Sequence, residues 1–421
     1  MKTLDQIAAE LAGYDPKSLS VQAAGAFIGQ LVHAVTQTED CPIVQALGRV
    51  LAADVVSPFN VPPHDNSAMD GYAFDGTLLA SGQPLVLKVV GTALAGQRWA
   101  GSAGQGDCVK IMTGAVMPLG LDTVVPQEMT QVEGEWVHIP ARQLRPGDNR
   151  RLMGEDLQQG SVALVQGELI TPAAMGLLAS LGLAAVPVRP LLKVAYFSTG
   201  NEILSLGEAP REGAVYDSNR YTVLGMLARL GCQVLDLGVV PDDPALLQAS
   251  FARAAREADV IITSGGVSVG EADHTRTMMK QLGDVAFWRI AMRPGRPMAV
   301  GRIGDAVLFG LPGNPVAVMV TFLAFVRPAL LQMMGCKARP QPLLKAHSVE
   351  AIRKKPGRTE YQRAVVSTAA DGSLQARITG NQGSGVLSSM VQANGLMVLG
   401  HNQGQVQAGE LVDVMMFDGV I

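Results

Sequence analysis

The sequence is poor in the residues that build metal clusters, disulfide frameworks or covalent catalytic systems. It has 4 cysteines and 6 histidines, and the cysteines are far apart with no CxxC pattern. This spacing excludes a zinc finger, a haem attachment motif and an iron–sulfur cluster. The histidines form no partner pattern with a serine, a cysteine or an aspartate, which disfavours covalent catalysis. We expect reduced thiols in a cytoplasmic protein.

Charge and long apolar runs are also limited. Charged residues make up 17% of the chain, and 37 acidic against 33 basic residues give a net charge of -4. The overall field of such a molecule does not attract nucleic acid, so an anionic ligand needs a local cluster of cations. The long uncharged stretches 169–188 and 306–326 are interrupted by glycine and proline, and the N-terminus has no apolar signal core. We therefore expect no membrane span and no secretion signal.

Apolar residues and turn formers dominate instead, with 48% hydrophobic residues, 47 Gly and 24 Pro. At a prior of ~150 residues per domain, the chain predicts about three domains. Residues 18–36 predict a helix capped by Ser20, and short Val-rich runs between 55 and 150 predict an antiparallel β domain. Strand and helix signals alternate over 191–263, which predicts a parallel sheet flanked by helices. From 340 onward, short strands between glycine turns predict a small β barrel or sandwich.

Three polar, glycine-rich loops follow predicted strands of the α/β region, at 198–202, 263–273 and 310–315. Ligands of α/β sheets bind beyond the carboxyl ends of the strands, so these loops are the first candidates for a site. The second loop fits neither GxGxxG nor the Walker A pattern. Asp273 suits helix capping or, alternatively, metal or ligand binding, and Asn314 is predicted to cap a helix that Pro315 begins.

A dense arginine cluster lies between the second and third loops. Arg289, Arg293 and Arg296 fall within eight residues, and strand alternation predicts that Arg289 and Arg293 point to the same side. Guanidinium groups suit phosphates and tetrahedral oxyanions. A solvated basic rim is the simpler interpretation, but the neighbouring glycine loops favour ligand binding.

Six segments, taken in order, resemble the MoeA family of molybdenum cofactor synthesis and the related E domain of gephyrin, over nearly the whole chain. They are NSAMDGYA (66–73), MTGA (112–115), GED (154–156), STGNE (198–202), SGGVSVG (264–270) and GLPGNP (310–315). Each segment alone is an ordinary turn or loop, whereas six in order make coincidence very improbable.

The resemblance implies a multidomain α/β plus β fold. Its parts are a helical linker domain (1–54 with 157–187), a β-rich insert domain (55–156), a central three-layer α/β molybdopterin-binding domain with a parallel sheet (188–339) and a small C-terminal β barrel (340–421). It also implies an elongated homodimer, in which the α/β domain of one subunit faces β domains of the partner across a cleft.

The implied activity is a Mg²⁺-dependent transferase that converts adenylylated molybdopterin and molybdate into molybdenum cofactor and AMP. Catalytic roles carry over to Asp70, Thr113, Asp156, Glu202, Asp242 and Asp273, with Glu202 and Asp273 also as metal ligands. Cofactor-binding roles carry over to Ser198, Thr199, Gly200, Ser264, Gly265, Gly266, Ser268, Arg289, Arg293, Arg296, Pro312, Asn314 and Pro315, and to Arg363 and Ser384 reaching the cleft from the partner subunit.

The sequence departs from the family pattern at two places. Arginines 289, 293 and 296 stand where the family commonly has lysine, and Asn201 stands where an aspartate is common. A paralogue that handles tungstate or another pterin is therefore one alternative. A gephyrin-like dimeric scaffold is another, although we see no additional MogA-like domain attached to the MoeA-like part of this sequence. The expected partners are a second copy of the chain, a MogA-like adenylyltransferase and molybdoenzyme maturation proteins, without nucleic acid or membrane.

Overall fold

The computed structural model describes residues 2–267, 274–337 and 341–417. Its α-helices are α1 (Leu4–Glu10), α2 (Val21–Leu31), α3 (Pro172–Ser180), α4 (Ser218–Arg229), α5 (Pro244–Glu257), α6 (His274–Leu282), α7 (Pro315–Thr321), α8 (Arg327–Met333) and α9 (Ser388–Gln392). Helix capping follows the sequence signals. Ser20 accepts a hydrogen bond from the Ala23 N–H at the start of α2, as predicted, and the Asp243 side chain caps α5.

The strands of the first half of the chain build a linker region and a β domain. They are β1 (Glu39–Pro42), β2 (Val55–Val56), β3 (Asn66–Ser67), β4 (Gly71–Phe74), β5 (Leu85–Ala93), β6 (Asp107–Ile111), β7 (Thr123–Pro126), β8 (Gln131–Glu133), β9 (Trp136–Ile139), β10 (Arg150–Arg151), β11 (Val162–Leu164) and β12 (Ala185–Val188). Six of them form one sheet in the order β7-β4-β6-β5-β9-β8. The predicted β domain is confirmed, but β5 and β6 pair in parallel, because the connection between them returns to the start of β5 before β6 begins.

Two short antiparallel pairings join the chain on either side of this sheet. β1 pairs with β12, and β2 pairs with β11, so the chain leaves the linker region, forms the β domain and returns. A separate apolar cluster that includes Leu51, Ile170 and Leu178 packs the linker region. The division of the chain at residues 54, 156, 187 and 339 stays a prediction.

The α/β domain is built on β13 (Lys193–Thr199), β14 (Ile203–Leu204), β15 (Val215–Tyr216), β16 (Gln233–Val240), β17 (Val260–Ser264), β18 (Asp284–Arg289), β19 (Met292–Arg293), β20 (Pro297–Ile303) and β21 (Ala306–Leu311). The main sheet has the order β16-β13-β17-β21-β20-β18. The first four strands are parallel, as predicted. β20 runs antiparallel to both of its neighbours, β21 and β18. It reaches β21 through a tight turn that leaves no room for a crossover helix, and β18 therefore points the same way as the first four strands.

Two apolar clusters cover opposite faces of this sheet. On one face, Leu227 of α4 and Val318 of α7 pack with Tyr196 of β13, and on the other face Phe251 of α5 and Met279 of α6 pack against the sheet. Neighbouring residues of one strand alternate between the two clusters, as expected for a sheet buried on both sides. The domain therefore has the three layers that the resemblance implies.

Helices α7 and α8 are joined by a π-helical turn at Phe322–Val326 into one long apolar helix. By length and composition this helix, Pro315–Met333, could cross a membrane, with a mean hydropathy of 1.8. It is 72% buried inside the protein, against the sheet, α2 and α4. A helix packed in the core of the protein explains that burial.

The C-terminal strands are β22 (Leu344–Ser348), β23 (Thr359–Thr368), β24 (Leu374–Ile378), β25 (Gly395–Leu399) and β26 (Leu411–Met416). They run in the order β23-β24-β22-β26-β25, and a further pairing of β25 with β23 closes them into the predicted barrel. β19 of the α/β domain pairs with β23, with Arg293 opposite Glu360. This pairing holds the barrel next to the segment that carries Arg293 and Arg296.

Candidate functional site

The three loops that are predicted to form the site begin at one edge of the α/β sheet. β13, β17 and β21 are parallel neighbours, so their carboxyl ends lie side by side. The loops that follow begin at Gly200, Gly265 and Pro312. Asn219, at the start of α4, connects two of them by donating hydrogen bonds to Ser264 Oγ (2.7 Å) and to the Gly313 carbonyl (2.7 Å).

The paired glycines of the second loop are required by their surroundings. Gly265 has a φ of +93°, and a Cβ there would lie 2.6 Å from the Thr199 carbonyl oxygen. Gly266 has a φ of +64°, and its Cβ would lie 2.4 Å from the Thr275 side chain. Glycine alone therefore lets this backbone turn so tightly beside β13 and α6.

A cleft of about 720 Å³ opens above these loops. We call it the arginine cleft; its lining comes from Glu202, Ala317, Arg358 and the segments 265–267, 292–297, 312–314 and 382–384. Three arginines, Arg293, Arg296 and Arg358, lie in this lining, and among its described residues Glu202 is the one acid. The cleft is cationic in a molecule whose net charge is -4. Such a local excess of positive charge suits an anionic ligand.

Arg293 and Arg296 are exposed, and within the described parts of the chain neither guanidinium has a hydrogen-bond or ion-pair partner. The prediction that Arg289 and Arg293 share one side of a strand is wrong. β18 ends at Arg289, and the chain bends at Ala291 before β19 begins with a new partner, the barrel. Arg289 lies outside the described lining of the cleft, where its backbone bonds to Pro16 and Leu19.

Asn314 does not cap α7 through its side chain, contrary to the prediction. Its amide donates a hydrogen bond to Ser384 Oγ (2.8 Å), and the Ser384 carbonyl accepts the Val316 N–H (3.1 Å). The barrel thus satisfies a free N–H group of the first turn, so the Asn314 side chain is not needed as a cap. Ser384 reaches the arginine cleft from the same chain, so this contact needs no partner subunit.

Arg363 lies beneath the cleft and is only 1% exposed. Its guanidinium donates hydrogen bonds to Ser389 Oγ (3.0 Å) and to the carbonyls of Asn381 (3.2 Å) and Gly383 (2.9 Å). Burial and, secondly, the nearby charge of Arg293 lower the pKa of Arg363. The described lining of the cleft does not include Arg363; this side chain holds the 381–384 loop in place.

Other predicted binding residues also support the cleft from below. Ser198, Thr199 and Ser264 are buried at the strand ends, and Ser198 Oγ shares a hydrogen bond with Tyr196 OH (2.9 Å). Gly200 and Pro315 are not among the described residues that line the cleft, whereas Gly265, Gly266, Pro312 and Asn314 are. Ser268, which is also predicted to bind the cofactor, lies outside the described residues.

Two acidic residues lie near this site: Glu202 lines the cleft, whereas Asp242 is not among the described residues of its lining. The Asp242 backbone N–H donates to Asn201 Oδ1 (3.1 Å). Burial and, secondly, the charge of Glu202 raise the pKa of Asp242, while His274, at the start of α6, opposes the rise. Glu202 and Asp242 are therefore close neighbours. Asp273, the second predicted metal ligand, lies outside the described residues, and the part of the chain that the structure describes holds no cluster of three or more metal-binding side chains.

The remaining predicted catalytic residues occupy loops of the β-rich insert domain. Asp70 Oδ1 accepts hydrogen bonds from the Thr113 N–H (2.6 Å) and from Thr113 Oγ1 (2.7 Å), and these two bonds lower the pKa of Asp70. Asp156 lies exposed on a turn, and its backbone N–H donates a hydrogen bond to the Val61 carbonyl (3.1 Å). As far as the cleft lining is described, it contains no residue of this domain.

Sequence reasoning missed Arg358 and its partner Glu360, as well as Asn219. Arg358 follows a short basic run at 353–355, which gave no sign of a site because that run is far from the α/β loops in sequence. The pairing of β19 with β23 brings Arg358 and Arg293 into the same cleft. Only a long-range contact could have revealed this.

Comparisons with known proteins agree with this architecture. Family models match residues 19–182 (MoeA N-terminal region, domains I and II), 195–332 (probable molybdopterin binding domain) and 345–417 (MoeA C-terminal region, domain IV). The molybdopterin molybdenumtransferase of Haemophilus influenzae is 40% identical, over 92% of this chain and 95% of its own length. That of Bacillus subtilis is 33% identical over 90% of each chain.

The fold comparison extends to a solved structure. The crystal structure of a molybdopterin biosynthesis MoeA protein from Pyrococcus horikoshii superposes with a TM-score of 0.82 at 28% identity, covering 95% of this chain and 100% of that one. Sequence identity and fold thus agree along nearly the whole length. The chain belongs to the MoeA family.

Proposed function

We propose that this protein is a molybdopterin molybdenumtransferase, which converts adenylylated molybdopterin and molybdate into molybdenum cofactor and AMP. The observation that carries the proposal is the arginine cleft, where Arg293 and Arg296 lie unpaired among the described residues beside the glycine loops. The family membership supports the same reaction. All the reactants are anions, and they repel one another in water.

The cleft acts by positioning and by electrostatics. Arg293 and Arg296 offset the negative charges that gather as molybdate approaches a dithiolate and a pyrophosphate. The tight turn at Gly265 and Gly266 lets the backbone approach the bound pterin closely. No serine, cysteine or histidine nucleophile system is evident in the sequence, so we assign no covalent enzyme intermediate.

Mg²⁺ suits the part of the cleft near Glu202 and Asp242. Glu202 lines the cleft, and its charge influences the neighbouring Asp242. Mg²⁺ in proteins is commonly held by one or two carboxylates, with waters and substrate phosphates completing the octahedron. When bound, the ion neutralises part of the pyrophosphate charge. Glu202 and Asp242 would hold it, and Asp273 keeps the ligand role that the sequence analysis gave it.

A homodimer completes the site in this proposal. Asp70, Thr113 and Asp156 of the partner subunit face the arginine cleft, while the cleft itself is assembled within one chain. The exposed position of Asp70, together with the lack of insert-domain residues among the described lining, supports this arrangement. The protein works in the cytoplasm and receives its pterin from a MogA-like adenylyltransferase.

The test is direct. Purified protein is incubated with adenylylated molybdopterin, Mg²⁺ and molybdate, and AMP is measured by chromatography. We expect AMP release that depends on molybdate, and a wild-type protein that releases no AMP would contradict the proposal. Tungstate in place of molybdate separates the main proposal from the alternative of a tungstate-handling paralogue.

A further inference from the structure

The N-terminal segment, residues 3–19, lies along one edge of the main α/β sheet. β18 is the last strand in the order of this sheet. The segment contacts both ends of β18: the Asp284 side chain accepts a hydrogen bond from the Leu4 N–H (3.1 Å), and the Pro16 carbonyl accepts the Arg289 N–H (2.8 Å). A segment that covers an edge strand satisfies and protects its backbone groups. Here the cover ends at the point where the chain leaves the sheet for the arginine cleft.

The chain that leaves β18 is held on two sides. On one side, the Leu19 N–H donates to the Arg289 carbonyl (3.1 Å), and the Leu19 carbonyl accepts the Ala291 N–H (2.7 Å). On the other side, the Ala291 carbonyl accepts the Thr359 N–H of β23 (2.9 Å). Ala291 therefore connects the N-terminal segment to the barrel.

These contacts form the base of a loop, residues 290–296, which we call the arginine loop. The Ile290 N–H donates to the Arg296 carbonyl (2.7 Å), and this hydrogen bond closes the loop. Arg293 and Arg296 extend from the loop into the lining of the arginine cleft. The N-terminal segment thus holds the base on which both arginines stand.

An aromatic cluster anchors the N-terminal segment next to this base. Trp288, the residue before Arg289, is 2% exposed, and its Nε1 donates a hydrogen bond to Tyr14 OH (2.9 Å). The Phe27 ring of α2 stacks on Tyr14 and meets Trp288 edge-on, with ring centroids 5.6 Å and 4.9 Å apart. A buried indole N–H that loses its acceptor is costly, so Tyr14 strongly favours one placement of Trp288.

We propose that Tyr14 and Leu19 are positioning residues of the arginine cleft. Tyr14 acts through Trp288, and Leu19 acts through the backbone of residues 289–291. Together they hold the arginine loop in the orientation that binds an anion. A loop that is held in place before binding loses less freedom when the ligand arrives. The inference rests on the proposed function of the cleft, and neither residue belongs to the described lining.

Two substitutions loosen the N-terminal segment without changing the cleft itself. Tyr14→Phe removes only the hydroxyl that accepts the Trp288 N–H. Leu19→Ala removes a side chain that is 1% exposed and lies in the same apolar cluster as Trp288. Leu178→Ala is the matched control, because Leu178 is also buried, at 0% exposure, but lies in the separate cluster of the linker region. Both leucine substitutions should lower the melting temperature, since each leaves a cavity.

Hydrogen–deuterium exchange of the whole chain measures the base of the loop directly and needs no ligand. We expect the backbone amides of Ile290 and Ala291 to exchange about tenfold faster in Tyr14→Phe and in Leu19→Ala than in the wild type, because local opening becomes easier. In Leu178→Ala these two amides should exchange as in the wild type. Wild-type exchange of both amides in Tyr14→Phe and Leu19→Ala would overturn the proposal.

The binding of molybdate alone, measured by isothermal titration calorimetry, separates a positioning role from a merely structural one. We expect the Kd for molybdate to rise about threefold in Tyr14→Phe and in Leu19→Ala, and to stay unchanged in Leu178→Ala. In the assay of AMP release, the KM for molybdate should rise while kcat changes little.

The two measurements together decide the proposal. Faster exchange with unchanged molybdate binding would reduce Tyr14 and Leu19 to a structural role and refute their positioning role. A wild type that does not bind molybdate would refute it as well. Weakened molybdate binding in both variants, with a wild type that releases no AMP, would support the positioning role and count against the proposed function alone.

Discussion

The arginine cleft and the Asp70 corner of the insert domain satisfy their charges in opposite ways. In the cleft, Arg293 and Arg296 find no partner among the described residues. In the corner, Oδ1 of the exposed Asp70 accepts two hydrogen bonds from Thr113, and these bonds lower the pKa of Asp70. Unpaired charge is typical of a place where a ligand supplies the missing partner, whereas a low-pKa carboxylate that is held by hydrogen bonds at one oxygen can meet a partner without rearranging. The comparison supports the proposed binding of anions in the cleft and the proposed acidic role of the corner.

The largest expected effect comes from removing a cation of the cleft. Arg293→Gln should lower kcat/KM for AMP release by about 10²–10³-fold, as the loss of one preorganised charge contact does in other active sites. Its melting temperature should hardly change, because an exposed guanidinium without a partner contributes little to stability. Activity assays and calorimetry on the same preparation check both statements. A large loss of stability would mean that Arg293 is structural.

The corner can be tested against the cleft by combining them. Asp70→Asn should lower activity about 10²-fold through misplaced reactants. A heterodimer can be made from one Asp70→Asn subunit and one Arg293→Gln subunit. If each site takes Arg293 from one subunit and Asp70 from the other, one site of this heterodimer carries both substitutions and the other site carries none. It should therefore have about half of the wild-type activity. Co-expression with two different tags provides the heterodimer. An inactive heterodimer would place Asp70 and Arg293 of the same chain in one site.

Arg363 extends the comparison to an arginine that is both buried and paired. Arg363→Gln removes hydrogen bonds to Ser389, Asn381 and Gly383, so the unfolding free energy of the barrel should fall by about 3 kcal/mol. Scanning calorimetry measures the change, and Arg293→Gln serves as the control with the same substitution at an exposed site. Equal stability of the two variants would contradict the supporting role given to Arg363.

Local signals in the sequence predicted the elements well. Ser20 and Asp243 cap their helices, and the strands that end at Thr199, Ser264 and Leu311 are parallel neighbours with their loops together. Caps, turn glycines and apolar periodicity depend on residues within about four positions, so they are visible in the sequence. The MoeA resemblance added the family, which the comparisons confirm.

Contacts between distant segments could not be predicted in this way. Asn314 was expected to cap α7, but it bonds to Ser384, 70 residues away, because the barrel supplies the missing acceptor. Arg289 was expected beside Arg293, but the chain switches from the α/β sheet to the barrel between them. Arg358 enters the cleft through the same switch. In each case the docking of the barrel decides which side chains face the cleft.

The smallest expected effect concerns the pH dependence of stability, and its sign differs between the two regions. Burial and the charge of Glu202 raise the pKa of Asp242, so the folded protein binds this proton more tightly than the unfolded chain does. The contribution of Asp242 to stability is therefore greatest below the ordinary aspartate pKa, and it is lost as the pH rises through the raised value. Asp242→Asn should remove this decline, so the melting temperature of the variant should depend less on pH over that window.

Asp70 supplies the opposite case. Its hydrogen bonds with Thr113 lower its pKa, so its contribution is present above the ordinary aspartate pKa and is lost as the pH falls through the lowered value. Asp70→Asn should therefore remove a loss of stability that the wild type shows as the pH falls, whereas Asp242→Asn should leave that loss unchanged. Melting temperatures of the wild type and both variants across the acidic range measure the two slopes. Slopes of the same sign would mean that the two carboxylates do not occupy contrasting environments, and the separation of the cleft from the corner would lose its electrostatic basis.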